Sequence, residues 1–184
     1  MKSVYVDSKR KSIANLQIKY PNTTIIDVTS KGVDPFVKLS PFYPHGDIPI
    51  PFSGAAKAMS VEGIWQGLKV FDGADVNTAS FENKTMKDIK RTVRKYGPPL
   101  GHRKGINGND LLSYMDARRV IYLPSYLWVL QNKVTDVINQ IREEGSLKDI
   151  VLLDYETNED VNNLRKPLSH AYLVKQFLLG TYPE

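Results

Sequence analysis

In the stretch SVEGIWQGLKVF, residues 60 to 71, the apolar positions Val61, Ile64, Leu68 and Phe71 recur at spacings of three and four. At about 100° per residue they share one face of a helix. Ser60 stands where an N-cap belongs, and Glu62 falls in the first turn, where a carboxylate is favoured. Glu62, Gln66 and Lys69 repeat the same spacing on another face, with Trp65 at its border. That row either faces water as a plain polar helix face or lines a site. Gly63 and Gly67 each cost such a helix about 1 kcal/mol relative to alanine, so they mark the close approach of another backbone or of a ligand.

The same reading extends along the chain. SVYVDS and TTIIDV have the composition of strands and flank a helical segment within KRKSIANLQIKY, giving a β-α-β start over about residues 1–30. From Lys31 to Gly54, Pro35, Pro41, Pro44, Pro49 and Pro51 forbid a regular helix. This predicts an extended, turning loop that buries Phe36, Phe42, Tyr43 and Phe52. KTMKDIKRTVRKY, at 84–96, predicts a helix stopped by Gly97 and Pro98-Pro99, followed by a glycine-rich basic loop, GPPLGHRKGINGND. Asn109 is placed to cap a helix through about Tyr122. Pro124 begins another, whose Leu127, Leu130, Val134, Ile138 and Ile141 keep helical spacing up to Gly145. KDIVLLDY predicts a buried strand, and Pro167 opens a last amphipathic helix through Leu179, closed by Gly180. The sum is α+β: one helix-rich domain, residues 1–184, around a small mixed sheet.

Composition narrows the chemistry. A chain of 184 residues, 41% hydrophobic, can bury a substantial core. No apolar run approaches the roughly 20 residues that span a bilayer, and MKSVYVDSKRK lacks a signal-peptide apolar region, so a soluble, cytoplasmic protein without membrane partners is expected. The absence of cysteine removes disulfides and thiol catalysis. His45, His102 and His170 are widely separated, so neither a metal nor a cofactor is expected. Carboxylates, amines, hydroxyls and aromatics remain.

A formal charge of +5 fits a polyanionic or phosphorylated partner as well as an ordinary basic surface. On the helix expected at 84–96, Lys87, Arg91 and Arg94 form a stripe suited to a nucleic-acid backbone, or a solvated basic face. Gly101, His102 and Arg103 lie in GHRKG, where glycines let backbone N–H groups converge on a phosphate and Arg103 can fork two of its oxygens; an exposed basic turn is the plain alternative. Arg118 and Arg119 are less specific. Asp154, Glu156 and Asp160 are acidic groups after a strand, a common active-site position, though Asp160 also suits a helix cap.

Several of these residues together resemble the YbiA-like N-glycosidase (NADAR) superfamily. Its signature helix reads Thr or Ser, then Glu-His-Tyr-Phe-Gln-Ala-Gln-Lys, and Ser60, Glu62, Gln66 and Lys69 match in register. SPFYP at 40–44 is similar to the family's Ser-Asn-Phe-Tyr-Pro, with Pro41 in place of asparagine. YMDARRVIYLPSYLWVLQNK resembles the helix that usually follows, and IVLLDYETN the strand that usually ends in Leu-Val-Glu, with Asp154 in the glutamate's place. The resemblance covers about residues 38–160; the usual C-terminal Trp-Gly-x-Gly is replaced by the helix after Pro167.

What the resemblance implies is a YbiA-like fold and cleavage of a bond between ribose and nitrogen. The substrate would be an ADP-ribosylated base such as guanine in nucleic acid, or a related ribosyl-base compound. Glu62 would stabilise positive charge on the ribose and activate water. Lys69 would bind phosphate or, when neutral, attack the ring-opened ribose to form a Schiff base. Gln66 would orient a hydroxyl or the water, and Trp65, Phe42 or Tyr43 would stack a base. Two other functions stand beside it: a non-catalytic binder of an ADP-ribose-derived or cyclic nucleotide signal in the same pocket, and a nucleic-acid-binding module built on the basic stripe.

Overall fold

A computed structural model describes residues 2–183. In chain order the elements are β1 (Val4–Ser8), α1 (Ile13–Lys19), β2 (Thr23–Asp27), β3 (Ile48–Pro49), β4 (Lys57–Ala58), α2 (Val61–Gly67), β5 (Lys69–Phe71), α3 (Thr78–Phe81), α4 (Val93–Tyr96), β6 (Pro99–Arg103), β7 (Leu111–Leu112), α5 (Tyr114–Ala117), α6 (Leu123–Asn132), α7 (Thr135–Leu147), β8 (Asp149–Asp154) and α8 (His170–Leu179). The protein is α+β. It divides into two compact units, one made of the chain up to Ser40 together with Leu130–Pro183, the other of Pro41–Val129.

The first unit is built on a parallel sheet in the order β1-β8-β2, with Val4 opposite Ile150 and Thr24 opposite the same residue on the other side. A central parallel strand is covered on both faces, which is why Ile150, Val151, Leu152 and Leu153 are an unbroken buried run rather than an alternation. Leu16 of α1 packs on Val151 and Leu153. The strands end in carboxylates that consume the neighbouring cations. Asp7 accepts from Lys11 at 2.6 Å and Lys19 at 2.8 Å, and Asp27 pairs with Lys9 at 2.8 Å. Burial works against the Asp7 carboxylate, yet those ammonium groups hold its pKa well below the ordinary value.

Asp154, at the end of β8, is 4% exposed. Its Oδ2 accepts from Ser169 Oγ at 2.9 Å, from the His170 N–H at 3.0 Å and from His170 Nδ1 at 2.9 Å. His170 Nε2 lies 2.9 Å from the Val28 carbonyl. A carbonyl only accepts and this carboxylate oxygen already accepts, so both ring nitrogens donate and His170 is an imidazolium. Burial opposes its charge, but Asp154 outweighs burial and raises the His170 pKa. Burial likewise opposes ionisation of Asp154, and the His170 charge with the donors from Ser169 and Ala171 brings it down to about 2.

The second unit carries a small antiparallel pair, β3-β4, and an antiparallel sheet in the order β5-β6-β7. Helix α2 is capped as its sequence requires, with the Ser60 hydroxyl accepting from the Gly63 N–H at 3.0 Å. The loop before it is tied to its first turn, because the Glu62 N–H donates to the Pro41 carbonyl at 2.8 Å.

Five expectations are corrected. The basic segment is helical only over Val93–Tyr96. Ahead of it the Asn83 side chain accepts from the Thr85 N–H and donates to the Lys87 carbonyl, and Met86 and Asp88 take positive φ, so local side-chain bonds wind turns in place of a helix. Residues 99–103 are strand β6 rather than a loop, and Leu111 and Leu112 pair with Arg103 and His102. The next helix is therefore capped by Ser113, not Asn109. Its backbone then passes through a π-helical turn, Arg118–Tyr122, before α6. The long helix expected up to Gly145 is two helices: Val134 leaves helical geometry at φ −132°, and the Thr135 hydroxyl takes up the Gln131 carbonyl at 3.2 Å. Finally, Phe52 is exposed, while Phe36, Phe42 and Tyr43 are half-buried.

The Asp154–His170 pair sets a pH window for stability. The raised His170 pKa stabilises the fold fully below its unfolded value near 6.5, and the contribution is lost as pH rises through the folded value. The lowered Asp154 pKa stabilises above 3.8 and is lost as pH falls towards about 2. Denaturant melts across pH should therefore show a contribution greatest between about 4 and 6.5, and His170→Asn should flatten the alkaline limb. Removing one member of a buried pair costs about 3–5 kcal/mol, so at pH 6 His170→Ala should lose stability on that scale.

Candidate functional site

The Glu62, Gln66 and Lys69 row is buried, not solvated. All seven residues of α2 are buried, with Glu62 7% and Gln66 5% exposed. Lys69 follows as the first residue of β5 and is half-buried. Gln66 Nε2 donates to Glu62 Oε1 at 2.8 Å, and Lys69 Nζ donates to Gln66 Oε1 at 3.1 Å. The three side chains form one hydrogen-bonded chain running from carboxylate to amide to amine.

Its direction is set by Arg91. The Arg91 backbone N–H donates to Gln66 Oε1 at 3.0 Å, and an N–H can do nothing else, so the amide oxygen faces Arg91 and Lys69 while the amide nitrogen faces Glu62. The guanidinium Nη1 donates to the Gln66 carbonyl at 3.3 Å and also to the Lys69 carbonyl. The same group lies over Phe71 at 4.8 Å and Tyr96 at 5.0 Å. Burial pushes the Lys69 amine below its ordinary pKa; Glu62 opposes this, and the charges of Arg91 and Lys90 add to it. A neutral amine still has an N–H for Gln66 and keeps a lone pair for chemistry.

Around this chain stand rings. Trp65, 8% exposed, lies against His102 with centroids 3.8 Å apart and ring planes tilted by 33°, and meets the edges of Tyr114 at 5.3 Å and Tyr122 at 5.6 Å. Lys69 Nζ lies 5.9 Å from the Trp65 ring. His102 is the cross-strand partner of Lys69, and burial, then the Lys69 charge, lowers its pKa to about 3. Among the described residues neither His102 ring nitrogen has a hydrogen-bond partner. An unmet buried polar group costs about 1–3 kcal/mol.

The other expected site residues are distributed differently. Arg103 binds Asp75 through two guanidinium nitrogens, Nε at 2.9 Å and Nη2 at 2.6 Å, with Nη1 on the Asn109 carbonyl, and its segment is a strand. Gly101 serves that strand: a Cβ there would lie 2.4 Å from the Leu112 carbonyl oxygen. The anion loop expected at 101–105 is therefore not formed: β6 takes residues up to Arg103 for pairing, and the N–H groups of Arg103, Lys104 and Gly105 donate to the carbonyls of Leu68, Asp110 and Arg103. The stripe of Lys87, Arg91 and Arg94 fails as well, since Arg91 is buried while Lys87 and Arg94 are exposed on turns and a single-turn helix. Phe42 lies beneath Lys90 Nζ at 5.4 Å, and Tyr43 against His45 at 4.8 Å. Asp154 belongs to the first unit, in the bonds to Ser169 and His170 already described. No group of His, Asp and Glu among the described residues is arranged to hold a metal ion, and no helix among them is long and apolar enough to cross a membrane.

Arg91 as an organiser, and Tyr114 and Tyr122 as neighbours of Trp65, were not legible in the chain. Arg91 acts through its backbone N–H across 25 residues, which no local pattern announces. The Lys69–His102 pairing had no local signal, since PLGHR shows no alternation and carries a proline and a glycine.

Fold and site thus define an α+β protein with a buried carboxylate–amide–amine chain walled by aromatic rings. By sequence the chain belongs to a family of unknown function, DUF6939, which it matches over residues 8–174. No curated protein and no solved structure matches it.

The two glycines of α2 test the packing behind the site. A Cβ on Gly63 would lie 2.5 Å from the Ser80 carbonyl oxygen, and one on Gly67 would lie 2.1 Å from the Phe81 ring. The close approach is thus that of α3. Gly63→Ala should destabilise by about 1–3 kcal/mol in a urea melt although alanine favours helix, because the clash is with backbone.

Proposed function

We propose that the protein is an N-glycosidase that hydrolyses the ribose–nitrogen bond of an ADP-ribosylated base, or of a related ribosyl-base compound, in a cytoplasmic setting. One observation carries the reading: Glu62, Gln66 and Lys69 form a buried, hydrogen-bonded chain where a helix face would ordinarily be apolar or wet. A buried acid and amine do little for stability compared with packed apolar residues, so their presence calls for a chemical use. The resemblance of the same residues to the YbiA-like signature supports that use. A nucleic acid carrying the modified base would be a macromolecular partner, but the basic stripe no longer supplies the argument for one.

In this reading the neutral Lys69 amine attacks the anomeric carbon as the bond to the base breaks, its electron pair leaving with the base. Attack leaves one proton too many on the lysine nitrogen and one too few on the base. The departing base takes that proton from the lysine nitrogen, and Glu62 stabilises the positive charge developing on the ribose. Opening of the sugar ring gives a Schiff base, and water then releases the ribose and restores the amine. Gln66 orients Lys69 and takes no proton.

Borohydride added during turnover should leave a ribose-derived mass on Lys69, seen by peptide mass spectrometry. Trapping should increase with pH and level off below pH 10.5, since burial lowers the Lys69 pKa. Lys69→Arg should bind ADP-ribose and form no adduct, and Glu62→Gln should lower kcat by roughly 100-fold or more. Full turnover by Lys69→Arg rules out the covalent role and leaves Glu62 with activated water. Tight ADP-ribose binding without turnover of any ribosyl-base substrate makes the protein a binder instead.

A further inference from the structure

We propose that His102 contacts the substrate of the Glu62–Gln66–Lys69 site, its imidazole hydrogen-bonding a hydroxyl of the sugar; this rests on the ribosyl reading above. The chain holds a built-in comparison. His170, buried to 9% exposure, has a partner on each ring nitrogen, Asp154 and the Val28 carbonyl. His102, at 1%, has neither among the described residues, although it is the more deeply buried. A histidine kept only for packing would be replaced at no loss by an apolar ring of the same shape, since the unmet nitrogens only cost stability.

Its position supplies the reason to keep it. The β5-β6 register sets His102 directly across from Lys69, and Trp65 holds the imidazole face at 3.8 Å. Cross-strand side chains start about 5 Å apart, so a sugar carbon at the lysine amine brings its neighbouring hydroxyls within reach of the imidazole. The ring is neutral at physiological pH, because burial and the Lys69 charge hold its pKa to about 3. A neutral imidazole offers one N–H and one lone pair. A hydroxyl, which both donates and accepts, satisfies either nitrogen, whereas a phosphate oxygen can meet only the N–H. His102 is therefore matched at either nitrogen by a sugar hydroxyl. Of the rings beside it, Tyr114 is the exposed one, at 36%, so the ligand's approach runs past Tyr114.

The test uses ring-nitrogen NMR of the 15N-labelled protein with ADP-ribose, and with ADP, which lacks the terminal ribose, as control. The expected result is a shift of the His102 nitrogens with ADP-ribose but not with ADP. His102→Phe should lose at least tenfold in ADP-ribose affinity by calorimetry, with its melting temperature unchanged or raised. If ADP-ribose binds while the His102 signals stay still and His102→Phe binds equally well, His102 is a core residue and the glycosidase reading survives without it. If ADP-ribose fails to bind the unmodified protein, the ADP-ribosyl form of the glycosidase reading falls and the role of His102 with it. Should His102→Phe fail to fold, the ring-nitrogen shifts of the unmodified protein decide the matter alone.

Discussion

The hydrogen bond from the Arg91 backbone N–H to the Gln66 amide oxygen gives the second unit its chemical polarity. An amide side chain can be turned either way in an otherwise symmetric setting, and each way reverses every bond it makes. A donor that cannot rotate or lose its proton removes the choice. The amide oxygen then receives Lys69 and its NH2 group serves Glu62, so acid and amine sit at opposite ends of one dipole and do not collapse into a direct ion pair. The Arg91 guanidinium, lying over Phe71 and Tyr96, keeps that backbone in place and bonds the carbonyls of both Gln66 and Lys69. One residue thus fixes both the direction of the chain and the position of the amine.

The first unit solves a related problem with the opposite outcome. There a buried carboxylate, Asp154, meets the helix start at Ser169 and a charged imidazole, and every polar atom of that imidazole is used. Polar groups that are fully met rigidify a core, while those left open are costly and chemically available. His170 and His102 thus show a fully met and an open buried imidazole inside one chain.

What could be read from the residues depended on how local the cause was. The strands and helix of the β-α-β start, the Ser60 cap, the buried IVLL strand and the Gly180 stop were legible because each follows from neighbours within a few positions. The basic segment misled because its charges have helical spacing, while Asn83 and Thr85 offer the backbone competing bonds that charge spacing does not register. GHRKG misled in the same manner: its glycines suggested an anion loop, but Gly101 is needed for close approach to the Leu112 carbonyl across a sheet. At the site, the Glu62, Gln66 and Lys69 spacing was visible and its burial was not. Burial is decided by what packs on α2, and the contacts of Ser80 and Phe81 with Gly63 and Gly67 come from beyond the helix.

The order β1-β8-β2 has a consequence for how the chain is made. β1 and β2 are not neighbours; the strand that joins them is translated well after both, with Val4 waiting for Ile150. The whole of Pro41–Val129, by contrast, is one uninterrupted stretch, complete before that strand exists. Loss of residues from the C-terminal side of residue 149 would leave the Glu62 segment intact and take the middle out of the parallel sheet. β1 and β2 are thereby made to depend on a strand far downstream of them, and a chain that stops short of β8 is marked by two orphaned strands.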